Sequence, residues 1–369
     1  MSYAELASRV PRAAGAAAYC SEAFRNRFAP FLVGLLVLAS GITSAATVSM
    51  AIHGYLQSFF AVPQLPAALA LIVLMSFISF RGIRESSSVN IVFTLLETSG
   101  LMLVLVAGYA FVWKGDLDLF ANATLPDADW IPILGGATIA FYAFIGFEDL
   151  ANLAEEAKNP SRDIPLAMVI AVAFSTVIYM AVLFVVLAVM TPAEAAASAR
   201  PLLDVLVRSG LPMPAWGFSA IALFAIVNTG LANLVMASRL MYGMSSEKLL
   251  PEFLSRVHAT RKTPWIAVIA SMALCMLLVV SGGVTLMAQT TSLLLVLAFV
   301  FLHVSLILLR RRSPARPTFS APRFTPYAGL IFCGLLLSQS PADAWFRAAC
   351  IASAAAGLFA LQKFPNHKT

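Results

Sequence analysis

The feature that most constrains this chain is a train of ten long apolar runs separated by polar stretches. They lie at roughly 28–60, 65–80, 89–113, 130–153, 164–190, 216–242, 265–281, 286–309, 327–338 and 344–364. A helix needs about 20 residues, within about 17–25, to cross hydrocarbon. The first run is long enough to tilt; the second and ninth are short. No run alternates apolar and polar residues as a membrane barrel strand does. The fold expected is all-α: a polytopic membrane helix bundle of about ten transmembrane helices. Composition agrees, with 60% hydrophobic and 11% charged residues, against about 25% charged in soluble domains. Apolar surface on this scale calls for the lipid bilayer as solvent.

The charges give an orientation. If alternate loops are assigned to one side beginning with the N-terminus, that side collects nineteen of the 24 Lys and Arg residues. It includes Arg9, Arg81, Arg84, Lys158, Arg162, Lys248, Arg310 and Arg316. The other side holds Lys114, Arg200 and Arg208, and Arg239 and Arg347 fall at span ends. Basic loops stay in the cytoplasm, so both termini are expected there, in a multi-pass protein of the cell's inner (plasma) membrane. The net charge of +6 then reports orientation and implies no nucleic-acid partner. Residues 1–27 lack the clean apolar core of a signal peptide and read as a polar-to-amphipathic cytoplasmic connector.

Other chemistry is sparse. Cys20, Cys275, Cys333 and Cys350 form no CxxC pair and read as buried small hydrophobes. The metalloprotease HExxH, the hydrolase GxSxG and the phosphate-binding loop are all missing from the sequence. No cofactor, no metal and no enzymatic activity are expected. Asn122-Ala123-Thr124 fits a glycosylation sequon, a pattern too short to carry weight.

The stretch 138–165 differs from every other run. It begins as an apolar helix, reaches Gly146, and continues directly with Glu148 and Asp149. Each charge at mid-bilayer costs about 2.5–3.5 kcal/mol on insertion scales. A hydrophobic segment interrupted by glycine and polar groups points to a transporter's binding site. A helix end there presents free carbonyls and a negative dipole end, which suit an ammonium group. Ile145, Gly146, Phe147 and Glu148 are therefore candidate substrate-binding residues, which the resemblance given below extends to Tyr142. The alternative is a short membrane helix whose polar residues simply open the next loop.

Glu97 stands about nine residues into an apolar run. A carboxyl in hydrocarbon is least costly when it carries a proton, so Glu97 reads either as a proton carrier or as a neutral interhelical hydrogen-bond partner. Asn228, Thr229 and Asn233 are polar positions in one span, with Thr229 and Asn233 on a common face. They either line a pathway or ion-site region or bond between helices. Ser40, Thr43, Ser44 and Thr47 form one helical face read mainly as close packing, with one possible exposure to a pathway. His53 is a weak proton-relay candidate, and Arg310–Arg312 read as a membrane-end anchor.

Phe144-Ile145-Gly146-Phe147-Glu148, followed by Glu155-Glu156-Ala157-Lys158-Asn159-Pro160-Ser161-Arg162-Asp163-Ile164-Pro165, resembles the sixth transmembrane helix and following loop of the amino acid–polyamine–organocation transporter superfamily. Residues 2–24, with Glu5, Pro11, Gly15 and Tyr19, resemble the loop between that family's second and third spans. Residues 225–254, with Ser238-Arg239, Tyr242-Gly243-Met244 and Leu250-Pro251, and then Thr263-Pro264, resemble its eighth helix and the loop after it. The resemblance implies a secondary transporter of an amino acid or related amine, with the proton as coupling ion. It places Glu97, Asn228 and Thr229 in the proton-coupling or ion-site region and lets Tyr142 gate the substrate. It also implies a truncated five-plus-five inverted repeat: 1–27 as connector, 28–113 as the last three helices of the first repeat, 130–310 as the whole second repeat, and 327–364 as a C-terminal helix pair. On that alignment the family's first, Gly-rich broken helix, which holds the substrate carboxylate, has no counterpart here. The chain alone is then expected not to accumulate amino acids. A degenerate, non-transporting subunit and, less favoured, a membrane-embedded enzyme stand as alternatives. Substrate and oligomeric state are not written in the sequence.

Overall fold

The computed structural model describes residues 1–11, 15–82, 87–113, 130–211, 214–313 and 317–361. Among these the secondary structure is helical throughout. Two short helices, α1 (Ser2–Arg9) and α2 (Gly15–Ala23), precede three long ones, α3 (Phe28–Leu56), α4 (Gln64–Arg81) and α5 (Ser87–Trp113). Next come α6 (Trp130–Tyr142), a 3-10 segment (Phe147–Glu156) and α7 (Pro160–Val189). Two small helices, α8 (Pro192–Ala197) and α9 (Pro201–Arg208), lead to α10 (Ala215–Ser246), α11 (Trp265–Val280) and α12 (Val284–Arg312). The hairpin α13 (Thr325–Ser338) and α14 (Ala342–Leu361) closes the chain.

The ten apolar runs thus coincide with α3, α4, α5, α6 with its 3-10 continuation, α7, α10, α11, α12, α13 and α14. Six of these, α3, α4, α5, α7, α10 and α12, are long and apolar enough to cross a membrane; α6, α11 and α13 are shorter. At 1.5 Å per residue, α3 with its 29 residues is about 44 Å long. That exceeds the roughly 30 Å of hydrocarbon and is accommodated by tilt.

The bundle is built around α3, which packs on α2, α4, α10, α11, α12 and α14. Its sequence explains this. Ala45 and Ala46 are fully buried, Thr43 and Ser49 beside them, and small residues let helices approach closely. The hydroxyls cost little inside because they bond back to their own helix: Thr43 to Ala39 O, Thr47 to Thr43 O and Ser49 to Ala45 O. Thr291 of α12 also donates to Thr43 Oγ1 at 2.7 Å. On α10, Gly230 lies where a Cβ would meet the Met75 sulfur at 2.5 Å, so any larger residue there would require the Met75 side chain to move. By contrast α7 turns Leu166, Ile170, Phe174, Val177 and Phe184 outward. That apolar stripe at helical spacing suits lipid tails.

The N-terminal segment departs from expectation. Residues Ser2 to Ser8 of α1 are all buried, and Tyr19 and Cys20 of α2 are 1% and 0% exposed. These helices pack against α3, α7 and α12 and belong to a core cluster with Leu293, Leu302 and Leu306. The polar-to-amphipathic connector read from sequence is thus packed into the bundle, a burial that its residues alone did not specify. Cys350 is likewise exposed where a buried cysteine was expected, while Cys20, Cys275 and Cys333 are buried and all four are free thiols. Arg12, Arg84, Lys114, Arg316, Lys363, Lys368, the 122–124 sequon and the side chains of Glu155 and Glu156 lie outside the described residues.

Candidate substrate site

The helix α6 stops at Tyr142, four residues before the glycine that sequence pattern marked. The chain tightens into i→i+3 turns, with Ala143 N to Ala140 O, Phe144 N to Phe141 O and Ile145 N to Tyr142 O. Gly146 then takes φ +124°, ψ −21°, a backbone conformation open to glycine and costly for any residue with a Cβ. Its amide is turned away from the helix and donates to Glu148 Oε2 at 2.8 Å. Among the described residues no backbone N–H returns to the carbonyls of Ala143, Phe144 or Ile145. The break therefore exposes acceptors, and Glu148, 6% exposed, caps its far side.

Two hollows flank the break. One, of about 40 Å³, is lined by Ile145, Glu148 and Asp149 of the break, Tyr3 of α1, Ser40 of α3 and Asn233 of α10. The other, of about 290 Å³, lies toward α7, between the 143–147 turn with Leu150 and Ser175 and Tyr179 of α7. Ile145 lines both. Neither is lined by Lys, Arg or His among the described residues. A cationic group would thus meet carbonyls and carboxylates there without a competing protein cation.

Ser44 ties the walls together. Its hydroxyl accepts from Asn233 Nδ2 at 3.0 Å and lies 3.3 Å from the Tyr142 hydroxyl. Tyr142 on α6, Ser44 on α3 and Asn233 on α10 thus form one polar bridge across three helices. Phe147, in the turn that lines the larger hollow, packs its ring on Tyr3 and Phe299 at 5.8 Å from each. Glu97 on α5 accepts from Asn228 Nδ2 of α10 at 2.7 Å. Asn228 precedes Asn233 by five residues, roughly 7–8 Å along the helix axis, so this pair is a separate centre on the same helix. Thr229 is exposed. His53 Nε2 contacts Gln57 Nε2 at 2.9 Å and shows no contact with the break.

The structure thus brings Tyr142, Ile145, Gly146, Phe147 and Glu148 together at the break, with the Phe147 ring against Tyr3, and pairs Glu97 with Asn228 at a separate centre. Two lining residues, Ser40 and Asn233, and Ser44, which bridges Asn233 to Tyr142, were read mainly as packing or interhelical bonding from sequence, and Tyr3 was not singled out at all. Arg310, read as a membrane-end anchor, instead donates to the buried Glu5 carboxylate, and Arg312 donates to Ala23 O at 2.7 Å.

A polytopic helix bundle with a glycine-broken span and polar groups converging on the break defines a membrane transporter. Residues 1–359 match the amino acid permease family, and the chain belongs to that family; it is a transporter and not an enzyme. Bacillus subtilis branched-chain amino acid permease BcaP is 26% identical over 91% of this chain and 76% of its own length. The methylthioribose transporter of the same organism is 27% identical, over 91% and 75%. Mouse cationic amino acid transporter 4 is 28% identical over 87% of this chain and 54% of its own. Among solved structures, a manganese transporter from Eremococcus coleocola in complex with an aromatic bis-isothiourea substituted compound superposes with a TM-score of 0.62. It covers 98% of this chain and 84% of that one at 16% identity, a likeness of fold.

Proposed function

We propose that this permease moves an amino acid or related amine across the inner membrane, with its ammonium group at the break and a proton taken by Glu97. The observation that carries the reading is the set of unreturned carbonyls at Ala143, Phe144 and Ile145 beside Glu148. A helix C-terminal end with a capping carboxylate is a cation-accepting arrangement. The relatives' names span branched-chain and cationic amino acids and methylthioribose, and in this reading the side chains around the break set selectivity. Glu97 supports proton coupling through its single, hydrogen-bonded carboxyl within α5. The basic-residue count supports cytoplasmic termini. The same alternation agrees with the contacts that gather α1, the start of α7 and the end of α12 at one end of the bundle.

The test is uptake into proteoliposomes under an imposed pH gradient. The chain by itself is expected to bind leucine or arginine saturably; extended at its N-terminus with the first two helices of a relative, it is expected to take them up at a rate that rises with the gradient, and a Glu97→Gln variant of that form to bind still but no longer respond to it. Unchanged gradient-driven uptake in that variant would reduce Glu97 to packing, and absence of any amino acid uptake or binding would overturn the substrate reading.

A further inference from the structure

Tyr3 reaches the small hollow beside the break from α1. Its ring stands edge-on to Tyr19 at 5.4 Å, Phe147 at 5.8 Å and Phe299 at 6.0 Å, and it is 7% exposed. Two residues on, Glu5 is fully buried. Its Oε1 accepts from Arg9 Nε at 2.9 Å and Arg310 Nε at 3.0 Å. Its Oε2 accepts from Arg310 and from Ala321 N, the latter at 2.8 Å. Ser8 adds two bonds, donating to Ser161 O at 2.7 Å and accepting from Phe319 N at 3.0 Å. The polar fastenings of α1 therefore run to the start of α7, the last turn of α12 and the segment before α13, while its aromatic end touches the break.

We propose that α1 is the stopper closing this end of the substrate hollow, and that Glu5 is the positioning residue that holds Tyr3 in it. The proposal rests on the reading of the hollow as the substrate site. A space of about 40 Å³ holds about one water and no amino acid, so a wall must move for substrate to pass. The other walls are the spanning helices α3 and α10, the break itself, and α2, whose Gly15, Ala16 and Ala17 line the hollow and which lies packed along α3 and α12. The α1 wall is only eight residues long; Leu6 and Ala7 pack it into the core cluster, and Glu5 and Ser8 supply the polar fastenings that fix where it sits. Arg310 also donates to the carbonyls of Ala321, Pro322 and Arg323. It keeps partners when Glu5 leaves, as a reversible latch requires, and Glu5 keeps Arg9 of its own helix.

The test places a thiol in the hollow. Ser40 lines it and is 3% exposed, so S40C in lipid nanodiscs reports its opening through the rate of modification by a small methanethiosulfonate, read on its own peptide by mass spectrometry. Glu5→Gln and Tyr3→Ala are expected to raise that rate about tenfold or more. Arg9→Gln should raise it two- to fourfold, and Tyr3→Phe, which keeps the ring contacts, less than twofold. The native Cys275, fully buried on α11, reports general loosening and should not react faster. Rates within twofold of the parent for both Glu5→Gln and Tyr3→Ala would overturn the proposal, as would a parallel rise at Cys275. If Glu5→Gln yields no monodisperse protein, Arg9→Gln and Tyr3→Ala decide by the same criterion. Saturating leucine or arginine should slow S40C modification in the parent. Loss of that protection with the latch effect intact would sink the substrate reading and leave the stopper standing.

Discussion

At the scale of single residues, Ser44 is where the site is most economically disturbed. Its hydroxyl is shared by Asn233 and Tyr142, so removing it leaves the Asn233 amide short of a partner near the hollow. A hydrogen bond of this kind is worth about 0.5–1.5 kcal/mol net. Ser44→Ala is therefore expected to raise the KM for transport roughly two- to tenfold while the protein still reaches the membrane. An unchanged KM would show that the bridge only packs helices. Gly146 is demanding for a different reason. Its φ of +124° is forced by the turn, and a Cβ there would meet no other atom within 4 Å. The constraint is wholly in the backbone, so even alanine is strained despite ample space.

At the scale of elements, α1 depends on a buried carboxylate. Burial pushes the Glu5 carboxyl up, but the hydrogen bonds from Arg310, Ala321 N–H and Arg9 outweigh it and hold it below the ordinary glutamate range. A depressed folded-state value contributes stability that is present above the unfolded value, about 4.3, and is lost as pH falls through the folded one. The melting temperature in detergent is expected to drop as pH falls below about 4.3, and Glu5→Gln to start lower at neutral pH and show a shallower acid limb. Parallel acid limbs in the two proteins would mean that Glu5 does not link to folding. Glu194 behaves differently. Hydrogen bonds from Arg208, the Thr191 amide and the Thr191 hydroxyl hold it at about 2, but it is exposed and forms a capping box at the start of α8, so it sets a local helix start rather than global stability.

At the scale of the whole molecule, the orientation and the buried interior have different origins. Loops rich in Lys and Arg are expected inside, so cysteines placed at 158–162 should resist impermeant thiol reagents applied to intact cells. Ready labelling there would reverse the assignment. Helix positions were legible because each apolar run must bury its own backbone bonds, a local requirement that sequence expresses directly. The break was legible because a glycine followed by two carboxylates cannot continue a hydrocarbon-buried helix at low cost. What local pattern could not express was which polar residues meet. Glu5 finds Arg310 at a separation of 305 residues, Ser44 finds Asn233 at 189, and Glu97 finds Asn228 at 131. Serines on α3 read as packing because small side chains serve close approach and hydrogen bonding equally, and only the neighbour decides between them. The sequence by itself determined that the chain is a membrane helix bundle broken at Gly146, since hydropathy and backbone satisfaction act along the chain. Only the tertiary structure decided that α1 lies inside the bundle with Tyr3 at the break, because that depends on surfaces brought together from distant helices.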